Sequence, residues 1–590
     1  MMSDDPEMVE AVVCNMKDLP EKQEFMKEVD VGSSGKCLLI LNKNGDLTAL
    51  GHKCTHYGAP LARGALNNGR IRCPWHGACF SATTGDIEDY PGLDSLPKYQ
   101  VIVDDESGDV KVRAKLEHLK VGKRNACMDT EIRSDGQQHT EQRIVIIGGG
   151  PASIVCVETL RKEGFTGSII IVCKEPHPPY DRAKLSKAPD AIPQDVYLRG
   201  DLKYYDDIKV DLRLNTEALS VDAEQKKVVT RACDENEDRS ISFDRLFIAT
   251  GGTPRTLHPM TGFDCNNIFV LRTVDDANKL ASQCKDKRVA LVGSSFIAME
   301  IAAFLAKKKE STSLSVICGR RSNVPFQSSL GPDIGGRIMK MHEEKGIKFY
   351  TSVGVAELKC NDEKNVTHIR LSDDTVLEVD LVILGIGVTP STNFLQSSKI
   401  ELDDKGFIPV DGNMKTNVDS VYAGGDVVTF PLGMKGGERC NVQHWQMAHK
   451  HGRIAAYSII KSCEDSQVGD SHEKDQHVQS IPFFWTVQFG ISIRYAGHGG
   501  GFDNIIIKGV GKNGKIVKAA EALSSKKFVG FYVKKDHVIA VATMMADPIA
   551  ARFAEHLKDK GPLKVDQIDS FLKGDTGDEG KGHADKCSIN

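Results

Sequence analysis

RIVIIGGGPASIVCVETLRKEGFTGSIIIVCKE, residues 143–175, sets an apolar strand-length run before a glycine-rich turn, a helix-length segment after it, and a second apolar run ending in an acid. That order is the signature of a βαβ unit in a parallel sheet. Gly148 permits the tight turn. Gly150 lets the backbone approach a pyrophosphate seated at the helix N-terminus. The third glycine of the pattern is replaced by Ser153, which is expected to loosen helix-to-strand packing slightly. Glu175 follows Gly148 by 27 residues, more than the usual ~20 for an acid that reaches a ribose hydroxyl, so a solvated strand terminus is its other reading. The same texture returns at RVALVGSSFIAMEIAAFLAKKK, 288–309. A repeat of this unit implies two dinucleotide sites.

The second copy is altered. Gly293 is kept, but Ser295 and Ala298 stand where the pattern has its second and third glycines. A Cβ at Ser295 occupies the place where a pyrophosphate approaches, so weaker or absent nicotinamide-nucleotide binding is expected. The following strand ends LSVICGRR, with Arg320 and Arg321 where an acid would hold a ribose hydroxyl. An arginine there can pair a 2′-phosphate and favour NADPH. A solvent-facing basic turn is the equal alternative.

Toward the N-terminus, residues 10–115 hold short β-type runs broken by Gly, Pro, Asn and Asp, the pattern of a small all-β module. Within it, CTHYGAPLARGALNNGRIRCPWHGACF (54–80) gives Cys54-x-His56, sixteen intervening residues, then Cys73-x-x-His76. Zinc fingers pair Cys with Cys and His with His on separate arms. Here each arm offers one of each, which suits a [2Fe-2S] cluster whose irons differ, one taking both thiolates and the other both imidazoles. Gly58, Pro60, Gly64, Pro74 and Gly77 bend the two arms and leave backbone N–H groups to face the sulfides. Residues 116–141 are polar and read as a linker, and 561–590 have the composition of a disordered tail.

The chain has 590 residues, 40% of them hydrophobic, and a net charge of −5. That length requires several cores, and the charge offers no field for nucleic acid. The longest apolar runs are strand-sized, and no transmembrane segment is expected. Its N-terminus has neither a signal h-region nor an Arg-rich presequence. Sixteen scattered cysteines in such a chain are expected to be reduced thiols, apart from those in a ligand-like context.

The Cys-x-His and Cys-x-x-His arms resemble Rieske ferredoxin domains. PYDRAKLSK (179–187), LFIATGGTPR (246–255) and TNVDSVYAGGDVV (416–428) resemble, in order, the motifs of the FAD-dependent ferredoxin-reductase and apoptosis-inducing-factor group. CPWHGACF (73–80), GDIEDYPGLDSL (85–96), HWQMAH (444–449) and RYAGHGGGFD (494–503) extend the likeness to members bearing an N-terminal Rieske domain, over the whole chain apart from linker and tail. High-potential Rieske proteins tie the two arms with a disulfide between positions that here are Ala59 and Trp75. The resemblance therefore implies a ferredoxin-type centre with a potential on the order of −150 mV.

It also implies residue roles. Cys54, His56, Cys73 and His76 hold the cluster. Gly148, Gly150, Ala152, Thr250 and Gly251 surround FAD, with Arg182 on its phosphates, Glu175 on the adenosine ribose, the Val221 backbone on adenine and Asp426 on the ribityl chain. Trp445 and Trp485 flank the isoalloxazine, with ordinary core packing as their other reading. Lys187 and Glu300 form an ion pair beside the reactive edge of the flavin. Gly293, Phe296, Arg320 and Gly387 serve NADH or NADPH. Disulfide reductases of this superfamily carry a Cys-x-x-x-x-Cys pair beside the flavin, whereas Cys156 and Cys173 lie seventeen apart.

The expected fold is thus multidomain: a small all-β Rieske domain (10–115), an α/β flavoprotein reductase with an FAD-binding part (142–275 and 391–475) and an NAD(P)-binding part (276–390), and an α+β C-terminal domain (476–560). The expected function is NAD(P)H oxidation through FAD to the cluster and on to an unidentified acceptor, protein or small molecule. A redox-sensing or pro-apoptotic signalling role with little turnover is the alternative. The N-terminus favours the cytoplasm, and the family resemblance points to mitochondria; oligomeric state is left open.

Overall fold

The computed structural model describes residues 8–21, 23–124, 141–464, 478–511 and 515–574, in two units. One takes the described residues within Met1–Cys127, Ile481–Trp485 and Ile493–Asn590, and the other those within Met128–Ser480 and Thr486–Ser492.

In the first unit, the N-terminal part is an antiparallel six-stranded sheet in the order Met8–Asn15, Asp109–Lys115, Lys98–Val103, Leu47–Gly51, Lys36–Leu41, Phe25–Asp30. A smaller sheet, Ala65–Asn67, Arg70–Arg72, Cys79–Ser81 and Ile87–Asp89, carries the two arms of the Cys/His pattern. Leu38, Ile40, Leu50, Leu61, Ile71 and Phe80 pack around Cys54 and Cys73, so the arms stand on an apolar floor. The C-terminal part of the same unit is an antiparallel sheet that includes Ile491–Gly497, His537–Met544, Phe528–Lys534 and Asn504–Val510, with the helix Ile549–Lys560. Buried Arg72 donates from Nε to Glu555 of that helix, and Arg70 Nε donates to Glu555 at 2.9 Å.

The second unit holds two all-parallel five-stranded sheets built alike. The first runs Val210–Arg213, Ser168–Val172, Arg143–Ile147, Arg245–Ile248, Val421–Ala423. The second runs Lys348–Tyr350, Ser313–Ile317, Arg288–Val292, Leu381–Leu384, Ile268–Val270. In each, the first strand of the repeat is central and its glycine turn leads into a helix, Pro151–Lys162 and Phe296–Lys308. Near-continuous Val, Ile and Leu in these strands reflects burial on both faces.

Three expectations change. The helix Leu116–Val121 stands inside the stretch read as linker, and Arg124 pairs with Ser95, because Leu119 is buried against the six-stranded sheet; residues 125–140 lie outside the described ones. Leu563–Lys564 and the helix Ile568–Lys573 stand inside the stretch read as tail, since Ile568, Phe571 and Leu572 are buried; residues 575–590 lie outside the described ones. Cys265 and Cys360 form a disulfide, with Cα atoms 6.5 Å apart, where only thiols were expected. Asn266 N–H donating to Lys364 O at 2.8 Å shows how their loops are held together.

Candidate functional site

Both arms of the Cys/His pattern use one turn. Cys54 N–H donates to Ala59 O at 2.8 Å and Gly58 N–H to Cys54 O at 2.8 Å; Cys73 N–H donates to Ala78 O at 2.7 Å and Gly77 N–H to Cys73 O at 3.3 Å. Gly58 and Gly77 have φ of 74° and 77°, the left-handed region that favours glycine. Their N–H groups close the turns, so the donors left for sulfur are those of His56 and Tyr57 at Cys54, and Trp75 and His76 at Cys73. The two thiols share a hydrogen bond: this and burial push Cys54 well up. Burial works against ionisation of Cys73 too, but the Cys54 thiol and the two N–H groups outweigh it and hold Cys73 below the usual thiol range. His56 Nδ1 lies 3.0 Å from His76 Nδ1. Among the described residues no three His, Cys, Asp or Glu side chains converge as a mononuclear metal site requires. Paired thiols and paired imidazoles fit a two-iron cluster with two ligands on each iron.

In the second unit a cavity of about 1140 Å³ opens at the first glycine turn, lined among others by Gly148, Gly150, Ala152, Glu175, Arg182, Thr250, Gly251, Asp426 and Trp445. A Cβ on Gly148 would stand 2.4 Å from Ala249 O, while one on Gly150 meets nothing within 4 Å, which is the room a pyrophosphate needs. Arg182 donates to Glu175, and its Nη1 also donates to Tyr180 Oη (2.5 Å) and to Arg272 O (2.9 Å). A second cation, Arg272, stands 4.0 Å from Asp426. Burial raises the Asp426 carboxyl above its ordinary range, against the pull of Arg272 and Arg182. Two guanidinium groups lining the cavity at the glycine turn match the two charges of a diphosphate.

Lys187 Nζ lies 2.9 Å from Glu300 Oε2, and Glu300, only 4% exposed, also accepts from Ser186 and from Thr486 Oγ (2.6 Å). The pair expected from sequence is therefore formed, on the helix that follows the second glycine turn. That turn repeats the first: a Cβ on Gly293 would stand 2.3 Å from Gly385 O. The missing third glycine is answered across the contact, because a Cβ on Gly385 would lie 2.8 Å from Ala298 Cβ. Gly385 makes the space that Ala298 fills. Phe296 packs its ring 4.9 Å from Phe326. Arg320 is exposed at the end of its strand and lies against Gly354; Gly387 has φ of 92° and open space at its Cβ position.

A model of the pyridine nucleotide-disulphide oxidoreductase family matches residues 142–452, and a model of the Rieske [2Fe-2S] domain matches 9–100. Mouse apoptosis-inducing factor 3 is 40% identical over 97% of this chain and 87% of its own. The chain is a Rieske-bearing member of the pyridine nucleotide-disulphide oxidoreductase family. Rhodocoxin reductase of Rhodococcus erythropolis is 28% identical over 62% of this chain and 80% of its own. The solved covalent putidaredoxin reductase–putidaredoxin complex superposes with a TM-score of 0.63 at 24% identity, covering 72% of this chain and 95% of that one, and shows the shared fold.

This family member is an oxidoreductase whose cofactors are FAD, NAD(P)H and a [2Fe-2S] cluster. The Val221 side chain is buried opposite Val228, while Thr216, Glu217 and Ala218 of the same strand line the cavity, with a bulge between Ala218 and Ser220. Trp485 belongs to the Rieske unit, where its ring lies 4.2 Å from that of His76. Ser153 does not loosen its helix. Buried, it donates from Oγ to Gly148 O at 2.6 Å and ties the helix to the turn. Two residues escaped the sequence reading. Arg272 had a signal in LRTVDDA, where Thr273 caps a helix. His451 had none: its Nδ1 accepts from Gly425 N–H at 3.1 Å, fixing the turn that presents Asp426. No helix among the described residues is long and apolar enough to cross a membrane.

Proposed function

We propose that this chain is an FAD-dependent NAD(P)H oxidoreductase that delivers flavin-derived electrons to its own Rieske cluster and from there to an external acceptor. The observation that carries the reading is the chemistry of the flavin cavity's cysteine. Cys173 lines the cavity, but burial pushes its thiol up to about 11, and Cys156 is wholly buried in the helix Pro151–Lys162. The cavity thus presents a single cysteine among its lining residues, and a redox dithiol needs two. Electrons arriving at this site have to leave by another carrier, and the four-ligand site of the Rieske domain is one that this chain itself provides.

When bound, FAD would supply hydride acceptance from a nicotinamide and release of single electrons, and the cluster would supply one-electron relay. The protein's part is positioning and charge. Arg182 and Arg272 would neutralise its diphosphate, Asp426 would accept from a ribityl hydroxyl, and Trp445 would cover the ring system. Lys187, held by Glu300 at 2.9 Å, would supply a positive charge toward the flavin's reacting edge. The N–H groups of His56, Tyr57, Trp75 and His76 support the cluster's thiolates.

Anaerobic addition of NADH or NADPH to the holoprotein tests the reading: the flavin and Rieske bands are expected to bleach in turn, with catalytic reduction of ferricyanide. The signalling alternative draws on Ser295, whose Cβ stands at the N-cap of the second helix. Bands that neither nucleotide bleaches would decide for it.

A further inference from the structure

The Rieske arms are covered by the C-terminal part of their own unit. A Cβ on Gly77 would stand 2.6 Å from Phe483, so that ring lies flat against the second arm, and Trp485 lies against His76, leaving the histidine 6% exposed. Beside them stands a cation. Gly497 N–H donates to Pro482 O at 2.9 Å, an antiparallel register that places Arg494 opposite Trp485, three residues on along each strand. Opposite residues share a face of the sheet, so Arg494 is on the side that meets His76.

Arg494 is 5% exposed, and its Nε and Nη1 find no acceptor among the described residues. Its acidic neighbour, Asp547, is 3.5 Å from Nη2 and keeps 29% of its side chain in solvent. A buried guanidinium with two idle donors is costly unless something accepts from them. The group that fits is the sulfur face of the cluster on the Cys73 side, since the charges of Arg494 and Cys73 are close enough to influence each other.

We propose that Arg494, supplied by the C-terminal domain, donates to the cluster's sulfur atoms and stabilises its reduced form, raising its potential above what the Rieske loops alone would set. With two ferric ions, two sulfides, two thiolates and neutral imidazoles the oxidised centre is uncharged. One electron, with no proton, makes it an anion. A fixed cation in a buried setting favours that anion.

The inference rests on the cluster assignment and not on the electron source, so dithionite titration separates it from the nucleotide question. In the full-length holoprotein, Arg494→Gln is expected to lower the equilibrium constant for cluster reduction about tenfold or more, ~59 mV for a one-electron couple, with the visible circular dichroism of the cluster retained. Arg494→Lys should restore part of the shift. Asp547→Asn, which frees Arg494 of its counter-charge, should move the potential up. An unchanged or raised potential in Arg494→Gln overturns the proposal. If that variant fails to hold its cluster, Asp547→Asn decides: a rise supports the proposal, and no shift or a fall overturns it.

Discussion

His451 shows how much one residue can fix. Buried against Phe430 (ring centroids 4.4 Å apart), it accepts the Gly425 N–H and is therefore neutral; burial pushes its ring down to about 3. A histidine whose folded pKa lies below its unfolded ~6.5 gives full stability above 6.5, and loses it as pH falls toward the folded value, about 1.4 kcal/mol per unit. Thermal melts of the flavin domain between pH 6.5 and 4 are expected to fall steeply in the wild type. His451→Gln, lacking the titration, should give a flatter profile. Lys187 offers a kinetic counterpart. Lys187→Ala removes the charge and leaves Glu300 with its two hydroxyl donors, so stopped-flow flavin reduction is expected to slow roughly tenfold to a hundredfold. An unchanged rate would remove Lys187 from the reacting edge.

At the scale of elements, the two glycine turns explain why most of the site could be read from sequence and why part could not. Gly148 and Gly293 stand where a side chain would strike the neighbouring strand, at Ala249 O and Gly385 O, a requirement written in local spacing. The compensation for Ala298 is not local. It lies at Gly385, more than eighty residues away, and only packing reveals it. Gly385→Ala should place two Cβ atoms in collision and cost about 1–3 kcal/mol in urea unfolding. Adding Ala298→Gly should recover most of that, less about 1 kcal/mol for a glycine inside a helix. The bulge after Ala218 is hidden for a similar reason: alternation marks the strand, but the bulge leaves no mark in the residue types.

On the scale of the whole molecule, the four cluster ligands were legible because Cys54, His56, Cys73 and His76 sit in two short arms. What covers them was not. Trp485, Arg494 and Glu555 lie hundreds of positions downstream, and although Arg494 opens the run RYAGHGGGFD, nothing in the local spacing says that any of the three meets the arms. Trp485 is matched to a flavin-side position by likeness of sequence, and its contact with His76 is visible only in the fold. Glu555, 1% exposed, faces Arg72, which is 0% exposed and keeps only the more distant Asp89, at 3.5 Å, when that charge is removed, so Glu555→Gln should cost about 1.5–3 kcal/mol. The Rieske absorption is expected to bleach at a lower temperature in that variant, with flavin release shifted less. Equal shifts in both signals would show that the pair is not specific to the Rieske unit.

The Arg72–Glu555 pair joins residues 483 apart in the chain, and this bears on how the protein is made. A ribosome adding ~5–20 residues per second releases the Rieske arms on the order of half a minute to a minute and a half before it reaches the helix that closes over them. During that interval Arg72 has Asp89 but not Glu555, and the arms lack Phe483, Trp485 and Arg494. Cluster insertion is therefore expected to go more readily into a chain that ends before Phe483 than into the finished one, a comparison that truncated and full-length apoproteins would give directly.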